Sequence, residues 1–186
     1  AAKGELLLFF DADVIIDNTF VSTILDEFHD RYYELATNTF VPDSELNLDK
    51  LIFKLANQIM EMSQYIHPLA PGFSILCTRR LFYRVGGFDE SLYLAEDHDF
   101  VKKGSRWGRF GIITGKPLKV SIRRFEKEGR LNLVRKYIFA EMYRIYKGRI
   151  EDDTFSYDFA KYDETGDLSD LERKLEQFLA LFEKKK

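Results

Sequence analysis

The sequence predicts an α/β fold in which a mixed, Rossmann-like sheet is flanked by helices and followed by a C-terminal helical extension. Two observations carry this prediction. Residues 6–10 form a short, continuous apolar run that ends in Asp11-Ala12-Asp13, which is typical of a buried strand that opens into a polar crevice. Further strand-like runs then alternate with segments whose apolar residues recur at helical spacing.

The elements that follow the first strand are predicted from periodicity and from turn residues. A helix over about 19–29 is capped by Asp17, Asn18 or Thr19 and has an apolar face of Phe20, Ile24, Leu25 and Phe28. A strand at 32–41 precedes a second helix, which carries Leu51, Leu55, Ile59 and Met62 and ends before Pro68. The remaining predictions are a strand at 72–78, a short helix at 79–85, a turn at Gly86-Gly87 with unusual backbone angles, a helix at 96–103, strands at 109–114 and 117–122, and an amphipathic helix over about 130–147.

The overall composition fits a globular domain. The 186 residues are 45% hydrophobic and include 17 Phe and 10 Tyr, which is ample for a packed core. The 28 basic and 31 acidic residues nearly cancel, so nucleic acid is not expected as the main partner. The single cysteine, Cys77, is interpreted as a small buried hydrophobe. No apolar run is long enough to span a bilayer, and the expected location is the cytoplasm.

Two carboxylates at the end of the first strand are the first candidate site. Asp11 and Asp13 can both point toward one cation, and a hard divalent ion would relieve the cost of placing them together. Mg²⁺ or Mn²⁺ held by one or two carboxylates completes its shell with phosphate oxygens and can stabilise a departing diphosphate. An isolated pair of this kind is more often an acidic loop that caps the next helix. Its context decides between the two interpretations.

A second acidic cluster follows about eighty-five residues later. Gly86-Gly-Phe-Asp-Glu90 precedes Glu96-Asp97-His98-Asp99-Phe100. The four acids Glu90, Glu96, Asp97 and Asp99 are expected to repel one another and to raise pKa values, which suits a general base. Taken alone, residues 96–99 also fit an acidic first turn of a helix, stabilised by the helix dipole.

Four blocks together resemble the family 2 glycosyltransferases of the GT-A fold in order and spacing. These blocks are the stretch from Gly4 to Val14 with its D-x-D, the stretch from Gly72 to Arg80, the run Gly86 to Glu90, and the pair Glu96-Asp97. The resemblance covers about residues 1–150. It implies a partial GT-A fold and an inverting, metal-dependent transfer of a sugar from a nucleoside diphosphate, with a UDP-sugar as the default donor.

The resemblance also implies roles for individual residues. Asp13 and Asp11 would be on the metal, Mn²⁺ or Mg²⁺, and on the donor, with Asp11 nearer to the sugar or ribose. Asp97 would be the general base that takes the proton of an acceptor hydroxyl. Arg123 and Arg124 resemble a basic element near the donor diphosphate, although they could equally pair with Glu126 and Glu128.

The acceptor side is predicted less specifically. Gly87, Asp89 and Glu96 are the candidates for acceptor binding, and the two glycines of 86–87 could equally form a plain turn. The acceptor itself is expected to be a glycan or a lipid-linked molecule. The helix over about 130–147 is basic and amphipathic, so it either contacts the inner face of a membrane peripherally or packs on the domain with an ordinary charged face.

The chain is divided into a catalytic half over 1–128, a basic helix over 129–150 and an acidic linker with a last amphipathic helix over 151–186. Members of the family begin with strand-helix units that bind the nucleotide base, and residue 6 already opens the D-x-D strand. The chain is therefore expected to be a fragment that lacks part of the donor site, and its activity by itself is left open. Two alternatives remain open: a non-catalytic remnant that binds a partner through its tail and last helix, and a metal-dependent nucleotidyltransferase.

Overall fold

The computed structural model describes residues 2–92, 95–130 and 134. In chain order its elements are β1 (Leu6–Phe10), β2 (Val14–Ile15), α1 (Phe20–Asp30), β3 (Leu35–Pro42), α2 (Asn47–Ser63), β4 (Ser74–Thr78), α3 (Arg79–Arg84), α4 (Glu96–Gly104), β5 (Phe110–Val120) and α5 (Arg123–Glu128).

The five strands form one mixed sheet in the order β1-β4-β3-β5-β2. The pairs β1·β4, β3·β4 and β2·β5 are antiparallel, whereas β3 and β5 run parallel. Leu7 and Leu35 both lie opposite Cys77, and Leu35 also lies opposite Phe110, so one row of residues crosses four strands. The predicted α/β class, with a mixed sheet flanked by helices, is confirmed.

Successive side chains of β4 point to opposite faces of the sheet and supply two hydrophobic clusters. Leu76 joins Phe20, Ile24, Phe28 and Phe53 from α1 and α2. Ile75 and Cys77 join Leu81, Phe100 and Val101 from α3 and α4. Cys77 is completely buried, as predicted for a small hydrophobe. Because both faces of the sheet are covered by helices, the ends of the strands are the places where polar side chains can gather.

Helix α1 follows the predicted pattern closely. Phe20, Ile24 and Phe28 are buried, and Leu25 packs against the same cluster. Thr19 is the N-cap residue, but its side chain makes no cap hydrogen bond. Asp17 Oδ1 accepts hydrogen bonds from the Thr19 amide and hydroxyl, so Thr19 occupies the cap position and Asp17 contacts it from the preceding loop.

The predicted apolar face of α2 is wrong. Ile59 and Met62 are 44% and 58% exposed, and the buried positions are Leu48, Asp49, Phe53 and Met60. The physical reason is a buried ion pair: Asp49 is completely buried and its carboxylate accepts two hydrogen bonds from the Arg130 guanidinium at 2.6 and 3.0 Å. A charged residue on the buried face shifts the apolar pattern, so periodicity alone selects the wrong side of the helix.

The two strands predicted at 109–114 and 117–122 are a single strand, β5, with an irregularity in the middle. The register against β3 shifts between Asn38 and Phe40. The amides of Thr114 and Gly115 donate hydrogen bonds to the carboxylate of Glu27 at 3.3 and 2.8 Å, which satisfies the backbone where the ladder is disturbed. The short strand β2, which pairs with the end of β5, has no counterpart in the predicted elements.

Most of the helix predicted over about 130–147, and the whole of 151–186, lie outside the described residues, so the predictions of a basic helix, a linker and a last helix stay predictions. Across the part of the chain that is described, no helix combines the length and the apolar composition needed to cross a bilayer.

Candidate functional site

The Asp11-Ala12-Asp13 segment is held by backbone hydrogen bonds on both sides. The Asp11 amide donates to the carbonyl of Phe73, just before β4, at 3.4 Å. The Asp13 carbonyl accepts a hydrogen bond from the Ser121 amide, just after β5, at 3.1 Å. The two carboxylates are therefore placed at the shared end of β1, β4 and β5, where the sequence predicted a polar crevice.

Asp97 lies in the first turn of α4. The helix begins after Ala95, which has a left-handed backbone conformation with φ of 64°, and the carboxylates of Glu96, Asp97 and Asp99 lie near the positive end of the helix dipole. The Asp97 side chain is only 18% exposed. Its Oδ2 would be 3.1 Å from a β-carbon on Gly72, so the carboxylate packs directly against the Gly72 backbone.

Residues 72–73 connect the two acidic motifs. Gly72 touches the Asp97 carboxylate, and the next residue, Phe73, accepts the hydrogen bond from the Asp11 amide. Two motifs separated by more than eighty residues in the sequence therefore meet at the start of β4. This connection is the structural basis for treating them as one candidate site.

The charges of the neighbouring acids act on the ionisation of Asp11. Although Asp11 is exposed, partial loss of solvent around its carboxylate is the first cause that raises its pKa, and the negative charges of Asp13, Asp97 and Glu96 raise the pKa further. The positive charge of Arg124 acts in the opposite direction. A carboxylate in such an environment is stabilised by any cation that binds beside it.

The candidate site fits a divalent cation only if a ligand supplies part of the coordination. In residues 2–92, 95–130 and 134, no three His, Cys, Asp or Glu side chains are arranged as a complete metal site. Two carboxylates, Asp11 and Asp13, together with phosphate oxygens and water, are the kind of shell in which Mg²⁺ is commonly held. The raised pKa of Asp11 is consistent with a site that accepts positive charge.

Of the two arginines predicted to bind the donor, Arg124 is placed close enough to influence Asp11. Its guanidinium also pairs with Glu128 at 2.9 Å, so the predicted alternative of a helical ion pair is present in the same side chain. Arg123 is exposed at the start of α5, and its amide donates to the Ser121 hydroxyl at 3.3 Å. Of the two arginines, Arg124 is thus the one whose charge acts on Asp11, and it forms an ion pair with Glu128.

The three residues predicted to bind the acceptor lie in different local environments. Glu96 is near enough to act on Asp11. Gly87 has the predicted unusual conformation, with φ of 74°, and a β-carbon there would meet the ring of Phe82 at 3.0 Å. Asp89 accepts hydrogen bonds from the amide and hydroxyl of Ser91. Gly87 packs within its own loop, whereas Asp89 also lies 3.5 Å from the Lys103 ammonium of α4. The role of both residues with an acceptor stays a prediction.

Lys103 corrects the expectation that the acids of residues 90–99 mainly repel one another. Its ammonium lies 2.7 Å from the Asp99 carboxylate, one helical turn away, and 3.5 Å from that of Asp89. Asp99 therefore has a cationic partner one helical turn away. The spacing of Asp99 and Lys103, four residues apart on a helix, was the signal in the sequence.

Gly72 and His98 are further neighbours of Asp97 that were not among the predicted site residues. The His98 imidazole Nε2 lies 3.9 Å from Asp97 Oδ1, and the His98 amide donates to the same oxygen at 2.7 Å. The contact with Gly72 arises from packing between distant segments. No local pattern in the sequence could have indicated the contact with Gly72.

The sequence matches no protein-family model and no curated protein. The structure is distantly similar to crystal structures of TarS 1–349 from S. aureus. One match has 19% identity and a TM-score of 0.47 and covers 76% of this chain and 42% of that chain. Another, in complex with UDP-GlcNAc, has 18% identity and a TM-score of 0.47 and covers 64% and 35%. The chain thus spans less than half of the TarS structures, and the family 2 glycosyltransferase resemblance rests on the sequence motifs.

Proposed function

We propose that the chain is the catalytic half of an inverting, metal-dependent glycosyltransferase that uses a nucleoside-diphosphate sugar. The observation that carries this proposal is that the two acidic motifs meet at residues 72–73, where Gly72 touches the Asp97 carboxylate and the Phe73 carbonyl accepts a hydrogen bond from the Asp11 amide. If the two motifs lay apart, each could be an ordinary acidic loop. A group of carboxylates near an arginine instead suits a site for a cation and a diphosphate.

In this proposal Asp13 and Asp11 hold Mn²⁺ or Mg²⁺ together with the donor diphosphate. When bound, the ion supplies Lewis-acid stabilisation of the departing diphosphate. Arg124, and more distantly Arg123, add positive charge to the same group, because the guanidinium fork matches phosphate oxygens. The ion pair of Arg124 with Glu128 keeps that side chain near the end of β5.

Asp97 is proposed to act as the general base. The acceptor hydroxyl oxygen forms a bond to the anomeric carbon while the bond from that carbon to the diphosphate oxygen breaks. The electron pair leaves with the diphosphate, and the hydroxyl proton passes to the Asp97 carboxylate. Attack from the face opposite the leaving group inverts the configuration. The low exposure of Asp97 and its contact with Gly72 support this role, because they hold the carboxylate in one place.

Calorimetric titration tests the donor half of the proposal. The chain is titrated with UDP and with GDP, each with and without Mn²⁺, and UDP is the default ligand. Metal-dependent binding that is lost in Asp13→Ala and retained in Asp97→Asn supports the assigned roles. Equal loss of binding in both variants contradicts them, provided that circular dichroism shows both variants to be folded.

Turnover separates transfer from the alternatives. With UDP- and GDP-sugars, including UDP-GlcNAc, glycosyl transfer or slow donor hydrolysis should release the nucleoside diphosphate, and Asp97→Asn should remove that release. A nucleotidyltransferase would release pyrophosphate instead. A non-catalytic binding module would show neither product, and its oligomeric state in size-exclusion chromatography would change when residues 151–186 are removed.

A further inference from the structure

A second polar cleft lies at the other end of α4 from Asp97. It has a volume of about 350 Å³, which is within the range of about 300–1,000 Å³ found for ligand sites. One wall is the segment 64–68 that follows α2, and the other runs from Lys102 to Phe110. The proposed glycosyltransferase chemistry makes no use of this cleft.

The lining of the cleft is basic. Lys102, Arg106 and Arg109 all contribute to it, His67 lies on the opposite wall, and no acidic side chain is among the described residues that line it. Arg109 also places its guanidinium 5.7 Å from the centre of the Tyr33 ring. Three permanent positive charges in one small cleft form a favourable site for an anion.

Unlike Lys102 and Arg106, two neighbouring cations have carboxylate partners in the described part of the chain. Lys103 pairs with Asp99, and Arg80 pairs with Glu34 at 2.6 Å. Within the described ranges, no carboxylate lies at ion-pair distance from Lys102 or Arg106. The negative end of the α4 dipole favours cations at this position, but an exposed helix end does not require three of them around a concave surface.

The cleft and Asp97 are built from the same two segments. Asp97 and Lys102 are five residues apart on α4, a rise of about 7.5 Å along the helix axis. The segment that provides residues 64–68 to the cleft continues to Gly72, which touches the Asp97 carboxylate. A molecule held in the cleft can therefore extend along this segment toward the proposed base.

We propose that this cleft binds a phosphate group carried by the acceptor; the assignment to an acceptor rests on the proposed glycosyltransferase function. Two arginines and a lysine suit a phosphate ester in number of charges and in hydrogen-bond geometry. Tyr65 and Ile66, which are 86% and 89% exposed at the rim, offer apolar contact to the part of the acceptor next to the phosphate.

The test measures binding of sn-glycerol 3-phosphate to the chain by calorimetry. The variant Lys102→Gln/Arg106→Gln is compared with Lys50→Gln/Arg31→Gln, which removes the same two charge types from exposed positions paired with Glu45 and Glu27. We expect about tenfold weaker binding in the first variant, as for the loss of charged hydrogen bonds, and no change in the second. No binding by the parent chain, or equal weakening in both variants, overturns the proposal.

Two controls keep the cleft distinct from the donor site. Lys102→Gln/Arg106→Gln should retain Mn²⁺-dependent UDP binding, and Asp13→Ala should retain glycerol phosphate binding. If UDP never binds but glycerol phosphate does, the donor assignment fails and the anion site stands. If glycerol phosphate binding is lost in Asp13→Ala in a folded protein, the anion was bound at the acidic site and the cleft proposal fails.

The source of the phosphate is distinguished with vesicles. Sedimentation with phosphatidylcholine vesicles that contain phosphatidic acid, and with phosphatidylcholine alone, compares a lipid-borne phosphate with the soluble ester. Sedimentation that requires phosphatidic acid, and that Lys102→Gln/Arg106→Gln abolishes, supports a lipid-linked acceptor. Binding of glycerol phosphate without sedimentation supports a soluble acceptor. If the chain neither binds glycerol phosphate nor sediments with the vesicles, the proposed anion site is overturned.

Discussion

Gly72 lies directly against the Asp97 carboxylate, since a β-carbon at residue 72 would be 3.1 Å from Asp97 Oδ2. The next peptide group accepts the hydrogen bond from the Asp11 amide through the Phe73 carbonyl. The start of β4 is thus the place where the two acidic motifs are brought together. A change at Gly72 acts on the proposed base without altering any carboxylate.

Gly72→Ala should lower turnover by about tenfold, because a displacement of the proposed base by a few tenths of an ångström impairs a reaction that depends on positioning. Binding of Mn²⁺ and UDP should be unchanged, since neither Asp11 nor Asp13 loses an atom. Steady-state kinetics with a UDP-sugar, alongside calorimetry with UDP, measures both quantities. Unchanged turnover in Gly72→Ala would show that Asp97 does not need this placement.

Asp11→Asn should make the unliganded protein slightly more stable at neutral pH, by less than about 1 kcal/mol, because Asp11 is exposed and solvent screens its interactions. Loss of solvent and the neighbouring carboxylates raise the pKa of Asp11 in the folded state above its ordinary value of 3.8. The cost that ionised Asp11 adds to folding is absent below pH 3.8, where the side chain is protonated in both states. This cost grows as pH rises through the raised pKa, because the folded state then holds a disfavoured charge. Urea unfolding at several pH values measures the difference.

That difference between Asp11→Asn and the parent should shrink as pH is lowered toward 3.8. With Mn²⁺ and UDP present the parent should become more stable than Asp11→Asn, because a bound cation prefers the ionised carboxylate and stabilises only the parent. A variant that is less stable by the same amount at every pH, with or without ligand, would contradict the assigned electrostatics.

Cys77 should react slowly with thiol reagents in the native protein. Burial raises the pKa of its thiol to about 12, so almost no thiolate is present near neutral pH, and the side chain is inaccessible. Labelling with 5,5′-dithiobis(2-nitrobenzoate) in urea should be faster by about 100-fold or more. Rapid labelling of the native chain would mean that the row Leu7, Cys77 and Leu35 opens readily.

Asp49→Ala should destabilise the fold by about 3 kcal/mol, because it leaves the Arg130 charge without its buried partner. The Ser44 hydroxyl, which donates to Asp49 Oδ2 at 2.6 Å, also loses its acceptor. Urea unfolding measures the change. Glu45→Ala is the matched control, since Glu45 is fully exposed and pairs with Lys50 at the surface. Its unfolding midpoint should not move, and similar losses in the two variants would refute a special role for Asp49.

Much of the fold was predictable because the relevant signals are local. The apolar run before Asp11 is β1, and the face of Phe20, Ile24 and Phe28 is buried. The turn at Gly86-Gly87 has positive φ at both residues, which glycine adopts at little cost. The acidic motifs themselves were visible as residue types at strand and helix ends, where chemistry is commonly placed.

The errors have a common cause in contacts between distant segments. The face of α2 depends on the pairing of Asp49 with Arg130, which are 81 residues apart. The continuity of β5 through its irregularity depends on Glu27 of α1, 87 residues before Thr114. Periodicity reports the average environment of neighbouring residues, and it contains no information about a single long-range partner.

The sequence by itself therefore determined the α/β class, most of the element boundaries and the identity of the carboxylates, because strand and helix periods and cap residues act over a few positions. Only the tertiary structure decided that the segments of Asp11 and Asp97 meet at residues 72–73, that Gly72 packs against Asp97, and that Lys102, Arg106 and Arg109 line one cleft. These relationships follow from strand order and helix packing, which are set by the combined burial of the whole core rather than by any local run of residues.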